Sequence, residues 1–181
     1  MGKPILFSIL ALCSYSIAAD EPNVPSDAPY IVLSENLDEP NGFGFCLDTL
    51  SRGKTDLMHA HSCKPAKVDR AIGHRDNDTR FYYDQATLQI KSFAFEGFCM
   101  QALRAAEVSV FALLQCVEHN RQKFSYDVND KTLRLHEDRK LCVAVSETTE
   151  IAGPWVKRSL LLEHCAKEKA SRQRWTVVNR P

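Results

Sequence analysis

Two histidines separated by one residue are the most chemically suggestive side chains in this 181-residue sequence. On an extended strand, His59 and His61 would project from the same face, because side chains alternate with a period of two. With Asp48 or Asp78 as a further ligand, the pair is compatible with a zinc or copper site, although a lone His-x-His is a weak signal. His59 and Asp48 could act as a general-base pair, but no nucleophile is marked beside them.

The rest of the sequence points away from an enzyme. It contains no Gly-x-Ser-x-Gly elbow, phosphate loop, His-Glu-x-x-His or dinucleotide fingerprint, so we expect neither catalysis nor a cofactor. Lys+Arg and Asp+Glu are both 23, and this balance argues against nucleic acid as a partner. A composition that is 44% hydrophobic and 25% charged fits one globular core.

The first 19 residues have the features of an export signal. Lys3 precedes an apolar run over residues 5–12, and small residues follow at Ser16, Ala18 and Ala19. This predicts a signal peptide over 1–19 and a secreted protein, extracellular or periplasmic. We further expect a flexible, acidic, proline-containing arm over 20–28 and one domain over 29–181, with no transmembrane segment.

Six cysteines remain once the leader is removed. An even set in an exported chain predicts disulfides rather than metal ligands, and six cysteines allow 15 pairings. The six are Cys46, Cys63, Cys99, Cys116, Cys142 and Cys165.

These cysteines belong to an internal repeat. Segments 44–48, 97–101 and 140–144 each place a cysteine among apolar residues, and a second cysteine follows it after 17, 17 and 23 residues. An aromatic residue comes next in each case, at Phe81, Phe124 and Trp175. We therefore predict three repeats, at about 30–90, 91–135 and 136–178.

Short alternating segments between turn signals predict strands, for example Thr87–Ile90 and Thr132–Leu135. Three repeats of about 45 residues, none able to bury its own apolar face, favour a closed all-β structure with threefold pseudo-symmetry.

The repeat resembles the ricin B-type lectin family over roughly residues 30–178. Gln173-Arg174-Trp175 matches the family's closing Gln-x-Trp motif, residues 122–124 are a near match and residues 79–81 a weak one. The resemblance implies a β-trefoil with one disulfide in each repeat, namely Cys46–Cys63, Cys99–Cys116 and Cys142–Cys165. Each such loop closure is worth about 3 kcal/mol in the chain-entropy account. The resemblance also implies that the closing motifs serve the core and the backbone, through Phe81, Gln122, Phe124, Gln173 and Trp175.

The resemblance further implies one carbohydrate site, in the first repeat. In the family, the position of Asp48 accepts hydrogen bonds from sugar hydroxyls, and that of His61 often carries a stacking ring. The second and third repeats have Gln101 and Ala144 in place of Asp48. Further polar side chains of the first repeat are expected to line the same site. The full predicted set is Asp48, His59, His61, Asn77 and Asp78. We expect glycans or glycoconjugates as partners.

An insertion separates Cys63 from the closing motif of the first repeat. Cys63 and Phe81 are 18 residues apart, against 8 and 10 in the other repeats, and the insertion runs from Lys64 to Asp76. Asn77-Asp78-Thr79 is also a glycosylation sequon, and a glycan there would obstruct the site. The alternatives to a lectin are a degenerate trefoil that binds a protein partner or delivers a toxin, and the His-based metal site.

Overall fold

The computed structural model of the chain describes residues 20–25, 28–50, 57–64, 78–103 and 111–179. Strands dominate these segments, with 3-10 turns at Asn120–Gln122 and Lys167–Lys169 and a short helix, α1, at Ala170–Gln173. The predicted leader lies outside the described residues. Within them, no helix has the length and apolar character needed to cross a membrane.

The strands are β1 Tyr30–Leu33, β2 Phe45–Thr49, β3 Leu57–Ser62, β4 Phe81–Asp84, β5 Gln89–Ser92, β6 Phe98–Ala102, β7 Phe111–Gln115, β8 Phe124–Asp127, β9 Thr132–Leu135, β10 Leu141–Val145, β11 Glu150–Ala152, β12 Trp155–His164 and β13 Trp175–Val178.

The strands pair in a pattern that occurs three times. Long antiparallel hairpins join β2 to β3, β6 to β7 and β10 to β12. Shorter antiparallel pairs join β4 to β5, β8 to β9 and β1 to β13, and the last of these brings the two ends of the domain together. Single residue pairs link β1 to β2, β5 to β6 and β9 to β10. This is a β-trefoil, as predicted, with a first lobe (β1–β4), a second lobe (β5–β8) and a third lobe (β9–β13).

Each lobe contains one disulfide within its long hairpin, and all three predicted pairings are confirmed. The backbone repeats around them as well, because the N–H of the second cysteine donates to a carbonyl just before the first. These bonds run from Cys63 to Gly44, from Cys116 to Gly97 and from Cys165 to Lys140, at 2.9, 2.8 and 2.8 Å. The bridges are Cys46–Cys63, Cys99–Cys116 and Cys142–Cys165.

The core is built from equivalent residues of the three lobes. Leu47, Met100 and Val143 occupy the same position of the three long hairpins, and all are fully buried. The closing aromatics Phe81, Phe124 and Trp175 are also 0% exposed. Burying each such side chain stabilises the fold by about 1.5–3 kcal/mol. The indole N–H of Trp175 donates to the carbonyl of Val143 at 2.9 Å, so the one polar atom of this ring is satisfied.

One predicted strand begins later than expected. The sequence predicts a strand over Thr87–Ile90, but β5 begins at Gln89. Leu88 has a φ of 59°, and the carboxylate of Asp84 accepts hydrogen bonds from the backbone N–H groups of Ala86 and Thr87. A residue with positive φ cannot continue a strand, so the turn ends only after Leu88. The second predicted strand, Thr132–Leu135, is confirmed as β9.

The arm that was expected to be flexible is packed on the first lobe in its described part. The N–H of Asn23 donates to the carbonyl of Gly42 at 2.8 Å, and the carbonyl of Asp20 accepts from the N–H of Asn36 at 2.9 Å. Pro22 lies so close to Gly44 that a Cβ added there would come within 2.4 Å of the proline ring. These backbone contacts hold residues 20–25 against the loop before β2.

Candidate functional site

The β2–β3 hairpin sets out three of the predicted site residues. Asp48 lies directly opposite His59 in the antiparallel register, and His61 is two residues further along β3. Because side chains alternate along a strand, these three project from one face of the hairpin. Leu47 and Ala60, on the other face, enter the core. The strand period predicted the shared face of His59 and His61, and Asp48 was expected beside them only from the family resemblance.

Lys64 connects Asp48 to the remaining aspartate of the predicted site. Its Nζ lies 2.8 Å from Oδ2 of Asp48 and 2.9 Å from Oδ2 of Asp78. Both aspartates are only 1% exposed, and the lysine side chain is 13% exposed. Charge-assisted hydrogen bonds of this kind are among the strongest in proteins. We define Asp48, Lys64 and Asp78 as the lysine clasp.

Sequence reasoning counted Lys64 only as the first residue of the insertion. The available signal was its position directly after Cys63, whose disulfide to Cys46 ties it to β2. That attachment keeps the lysine within reach of Asp48, two residues beyond Cys46 on the same strand face.

The carboxylate of Asp48 is held in its charged form. Burial raises the pKa of Asp48, but the His59 imidazole, 3.6 Å away, and the Lys64 ammonium outweigh this effect, so the pKa lies below its usual value. The other carboxylate oxygen accepts a hydrogen bond from the N–H of Thr49 at 2.7 Å. Two carboxylates and one ammonium give the clasp a formal charge of −1.

The two imidazoles differ in their hydrogen bonding. Nδ1 of His61 lies 2.9 Å from the carbonyl of Ser62, so this nitrogen carries the proton and donates. Burial lowers the pKa of His61, and the charge of Asp48 only partly opposes that effect. His59 stacks on His61 with ring centroids 5.4 Å apart. Neither ring nitrogen of His59 has a hydrogen-bond partner among the described residues, although the side chain is buried.

The second lobe uses the equivalent positions differently. Gln101 takes the place of Asp48 and accepts a hydrogen bond from Nε2 of Gln122 at 3.0 Å. That nitrogen also donates to the carbonyl of Gln115, and Oε1 of Gln122 accepts from the N–H of Val117. The side chain of Gln122 therefore fastens the closing segment to both residues that flank Cys116. We call this arrangement the amide clasp.

The third lobe repeats the amide clasp. Nε2 of Gln173 donates to the carbonyl of His164, and its Oε1 accepts from the N–H of Ala166. Ala144 replaces Asp48 here. Glu163, at the position of His61, accepts from Gln173 at 3.0 Å. In this lobe the Gln173 amide, the Glu163 carboxylate and the backbone on either side of Cys165 therefore hydrogen-bond to one another.

Thus the structure brings together Asp48, His59, His61 and Asp78 and adds Lys64. The fifth predicted residue, Asn77, and residues 65–76 of the insertion lie outside the described residues. Within the part of the chain that the structure describes, no three His, Cys, Asp or Glu side chains are arranged to hold a metal ion. Where Asp48 and Asp78 meet, the cation present is the lysine ammonium.

Comparison with known proteins supports the fold. No family model matches the chain, and no curated protein matches it. Among solved structures, the C-half of an earthworm R-type lectin in complex with GalNAc matches with a TM-score of 0.58 and 13% identity, covering 83% of this chain and 98% of that one. The β-trefoil lectin of the Vibrio vulnificus hemolysin/cytolysin, with N-acetyl-D-lactosamine bound, matches with a TM-score of 0.54 and 12% identity. The match covers 84% of this chain and 94% of that one.

A larger protein also matches. GalNAc-T7, solved with UDP, GalNAc and Mn2+, aligns with a TM-score of 0.52 and 13% identity over 80% of this chain, which spans only 23% of that protein. Identities this low show the fold alone. The chain has the β-trefoil fold found in R-type lectins, and carbohydrate binding is a property of the neighbours that share it.

Proposed function

We propose that this protein binds carbohydrate through a single site in the first lobe. One observation carries the proposal: across the three equivalent long hairpins, only the first combines a carboxylate, Asp48, with two imidazoles on the same face. Asp78 adds a second carboxylate at the same place. In the other two lobes, the polar side chains at these positions, Gln101 and Glu163, accept hydrogen bonds from the glutamines of the closing motifs.

Each residue of the site has a role that its chemistry supports. The ionised carboxylate of Asp48 accepts hydrogen bonds from sugar hydroxyls, and the imidazole of His61 offers a flat face to the ring. His59 supplies ring nitrogens that make no hydrogen bond to the described residues, although its Nε2 lies 3.6 Å from Oδ2 of Asp48. A buried polar group without a partner costs about 1–3 kcal/mol, so a ligand hydroxyl that pairs with His59 would recover part of that cost.

We also propose that the protein works in an oxidising compartment, extracellular or periplasmic. Three disulfides in a small domain support this assignment, because such bridges persist outside the reducing cytosol. The proposed activity is binding without catalysis.

A glycan array with the oxidised mature protein tests the carbohydrate proposal. Asp48→Asn removes the charge while keeping the shape, and we expect it to reduce binding of the best glycan at least about tenfold. Gln101→Asn, at the equivalent position of the second lobe, is the matched control and should bind normally. Near-ultraviolet circular dichroism establishes that each variant is folded.

Loss of binding in both variants would contradict a single first-lobe site. If the folded wild-type protein binds no glycan, the carbohydrate proposal is wrong and the protein-partner alternative takes its place. An array repeated with EDTA tests the metal alternative, because only binding that depends on a metal would be lost.

A further inference from the structure

A strand of the third lobe continues the face that carries the first-lobe site. β3 pairs with β2 along one edge, and along its other edge residues 59–61 pair with β12. In this antiparallel register Ser159 lies opposite His59, and Lys157 lies opposite His61. The face that holds Asp48 and the two imidazoles therefore does not end at β3.

The strand comes from the longer hairpin of the third lobe. The two cysteines of this lobe are 23 residues apart, against 17 in each of the other lobes. The extra length lies beyond the part of the hairpin that pairs β10 with β12, where β12 also pairs with β11 and with β3. The third lobe thus has the additional strand length that reaches the first lobe.

Ser159 and Lys157 project from the same face as the site residues. Residues directly opposite each other in an antiparallel pair share a face, so Asp48, His59 and Ser159 form one row across three strands. His61 and Lys157 form the neighbouring row. Ser159 is exposed and the side chain of Lys157 is 27% exposed, whereas both imidazoles are buried. β12 therefore presents accessible polar groups beside the site.

Contacts on the other face hold this part of β12 in place. The hydroxyl of Ser62 accepts a hydrogen bond from the N–H of Val156 at 3.2 Å and donates to the carboxylate of Glu39 at 2.8 Å. The guanidinium of Arg158, which is 4% exposed, lies 5.3 Å from the centroid of the Phe45 ring. Binding groups on a strand fixed in this way are positioned more precisely than groups on a loop.

We propose that the carbohydrate site continues from the first lobe onto β12, where Ser159 and Lys157 bind a second sugar unit, so that the ligand is an oligosaccharide rather than a single sugar. Neighbouring strands lie about 4.8 Å apart, so the row from β2 to β12 spans about 10 Å, which is wider than one sugar ring. This inference rests on the proposed function, because it names the size of the ligand that the first-lobe site binds.

The groups on β12 suit the hydroxyls of a neutral sugar. The hydroxyl of Ser159 donates and accepts, and the ammonium of Lys157 donates. Lys157 Nζ lies 3.2 Å from Oε2 of Glu150, whose side chain is 54% exposed, so a carboxylate acceptor stands beside the donor. A partly exposed ion pair contributes little to stability, so both groups can turn to ligand hydroxyls at small cost. One positive and one negative group side by side favour a neutral second unit over an acidic one.

The first experiment compares an oligosaccharide with its own single sugars. The neutral oligosaccharide that binds best on the glycan array and its constituent monosaccharides are titrated calorimetrically. The wild-type protein should bind the oligosaccharide at least about tenfold more tightly than any of the monosaccharides. Lys157→Met should weaken oligosaccharide binding at least about fivefold and leave monosaccharide binding unchanged, and Ser159→Ala should do the same to a smaller extent. Lys123→Met, which removes a lysine paired with the exposed Glu118 in the second lobe, is the matched control and should bind both ligands normally.

The outcomes separate the two proposals. If the wild-type protein binds the oligosaccharide no more tightly than a monosaccharide, or if Lys157→Met binds the oligosaccharide normally, the extension is wrong and the first-lobe site stands. If Lys157→Met weakens both ligands by the same factor, β12 acts only by positioning β3, and the extension is again wrong. If the folded wild-type protein binds no glycan on the array, both proposals are wrong.

A second experiment needs no variant. Lysine side chains of the wild-type protein are acetylated with and without the saturating oligosaccharide, and the modified positions are quantified by mass spectrometry. The oligosaccharide should slow acetylation of Lys157 several-fold, the monosaccharide should not, and Lys123 should react equally in every case. Equal rates at Lys157 with and without the oligosaccharide would contradict the extension, and this measurement decides if Lys157→Met does not fold.

Discussion

The first lobe and the other two lobes fasten the same segment of the fold in different ways. In the second and third lobes, a glutamine of the closing motif bonds to the backbone on both sides of the second cysteine. In the first lobe, Thr79 stands at that position, and its hydroxyl has no hydrogen-bond partner in the described chain. The residue after Cys63, Lys64, instead reaches across to Asp48 and Asp78.

The difference is one of charge and of hydrogen-bond saturation. An amide clasp is neutral and nearly saturated with hydrogen bonds, so it stabilises the lobe. A lysine clasp is charged and joins two buried carboxylates to one ammonium group. The following changes test that contrast.

Breaking the lysine clasp should have the largest effect on stability. Lys64→Met keeps most of the side-chain volume but removes the ammonium group between two buried carboxylates, and we expect a loss of about 3–5 kcal/mol in the free energy of unfolding. Lys91→Met is the matched control, because its partner Asp84 is partly exposed, and should cost about 0–1 kcal/mol. Urea unfolding at pH 7 measures both, and similar losses would contradict the contrast.

The loss should shrink as the pH falls. In the wild-type protein the pKa of Asp48 is lowered, so its contribution is present above the usual carboxyl range and is lost as the pH falls through the folded-state pKa. In Lys64→Met the carboxylates lack the lysine ammonium, and protonation relieves their repulsion. The difference in the free energy of unfolding between the wild-type protein and Lys64→Met should therefore be smaller at about pH 4 than at pH 7. An equal difference at both pH values would show that the lysine acts through packing.

Breaking an amide clasp should have an intermediate effect. Gln122→Met would remove the hydrogen-bond partners of the Val117 N–H and the Gln115 carbonyl. We expect it to lower the free energy of unfolding by about 1–3 kcal/mol. Thr79→Val, the corresponding change in the first lobe, removes a hydroxyl that makes no hydrogen bond to the described residues and should be neutral or slightly stabilising. Thermal unfolding compares them, and an equal loss in both variants would show that Thr79 contributes a clasp of its own.

The smallest expected effect concerns the packed arm. Gly44 and Gly97 are equivalent and have φ values of 74° and 78°, so alanine at either position costs about 1–2 kcal/mol of backbone strain. Only at Gly44 would the added Cβ also meet Pro22, at 2.4 Å, whereas nothing lies within 4 Å at Gly97. Gly44→Ala should therefore be the more destabilising change, and limited proteolysis should cut its arm faster. Equal behaviour would mean that the arm adds nothing to stability.

Much of the fold could be predicted because its determinants recur along the chain. Three cysteine pairs and three closing aromatics at similar spacings indicated the trefoil, and the resemblance supplied the correct disulfide pairing. The strand period placed His59 and His61 on one face, and the resemblance added Asp48 to them. The packing of Pro22 on Gly44 and the late start of β5 were missed, because each depends on backbone geometry rather than on residue type.

The sequence by itself determined the threefold architecture, the core and the lobe that carries the candidate site residues, since these follow from periodic patterns of residue type. Only the tertiary structure decided that Lys64 lies between Asp48 and Asp78. The stretch from Cys63 to Phe81 is 18 residues, against 8 and 10 in the other repeats, so no periodic pattern relates Lys64 to Asp78. Electrostatics favours this contact, because a buried carboxylate is stabilised by a cation and the disulfide holds Lys64 beside Asp48.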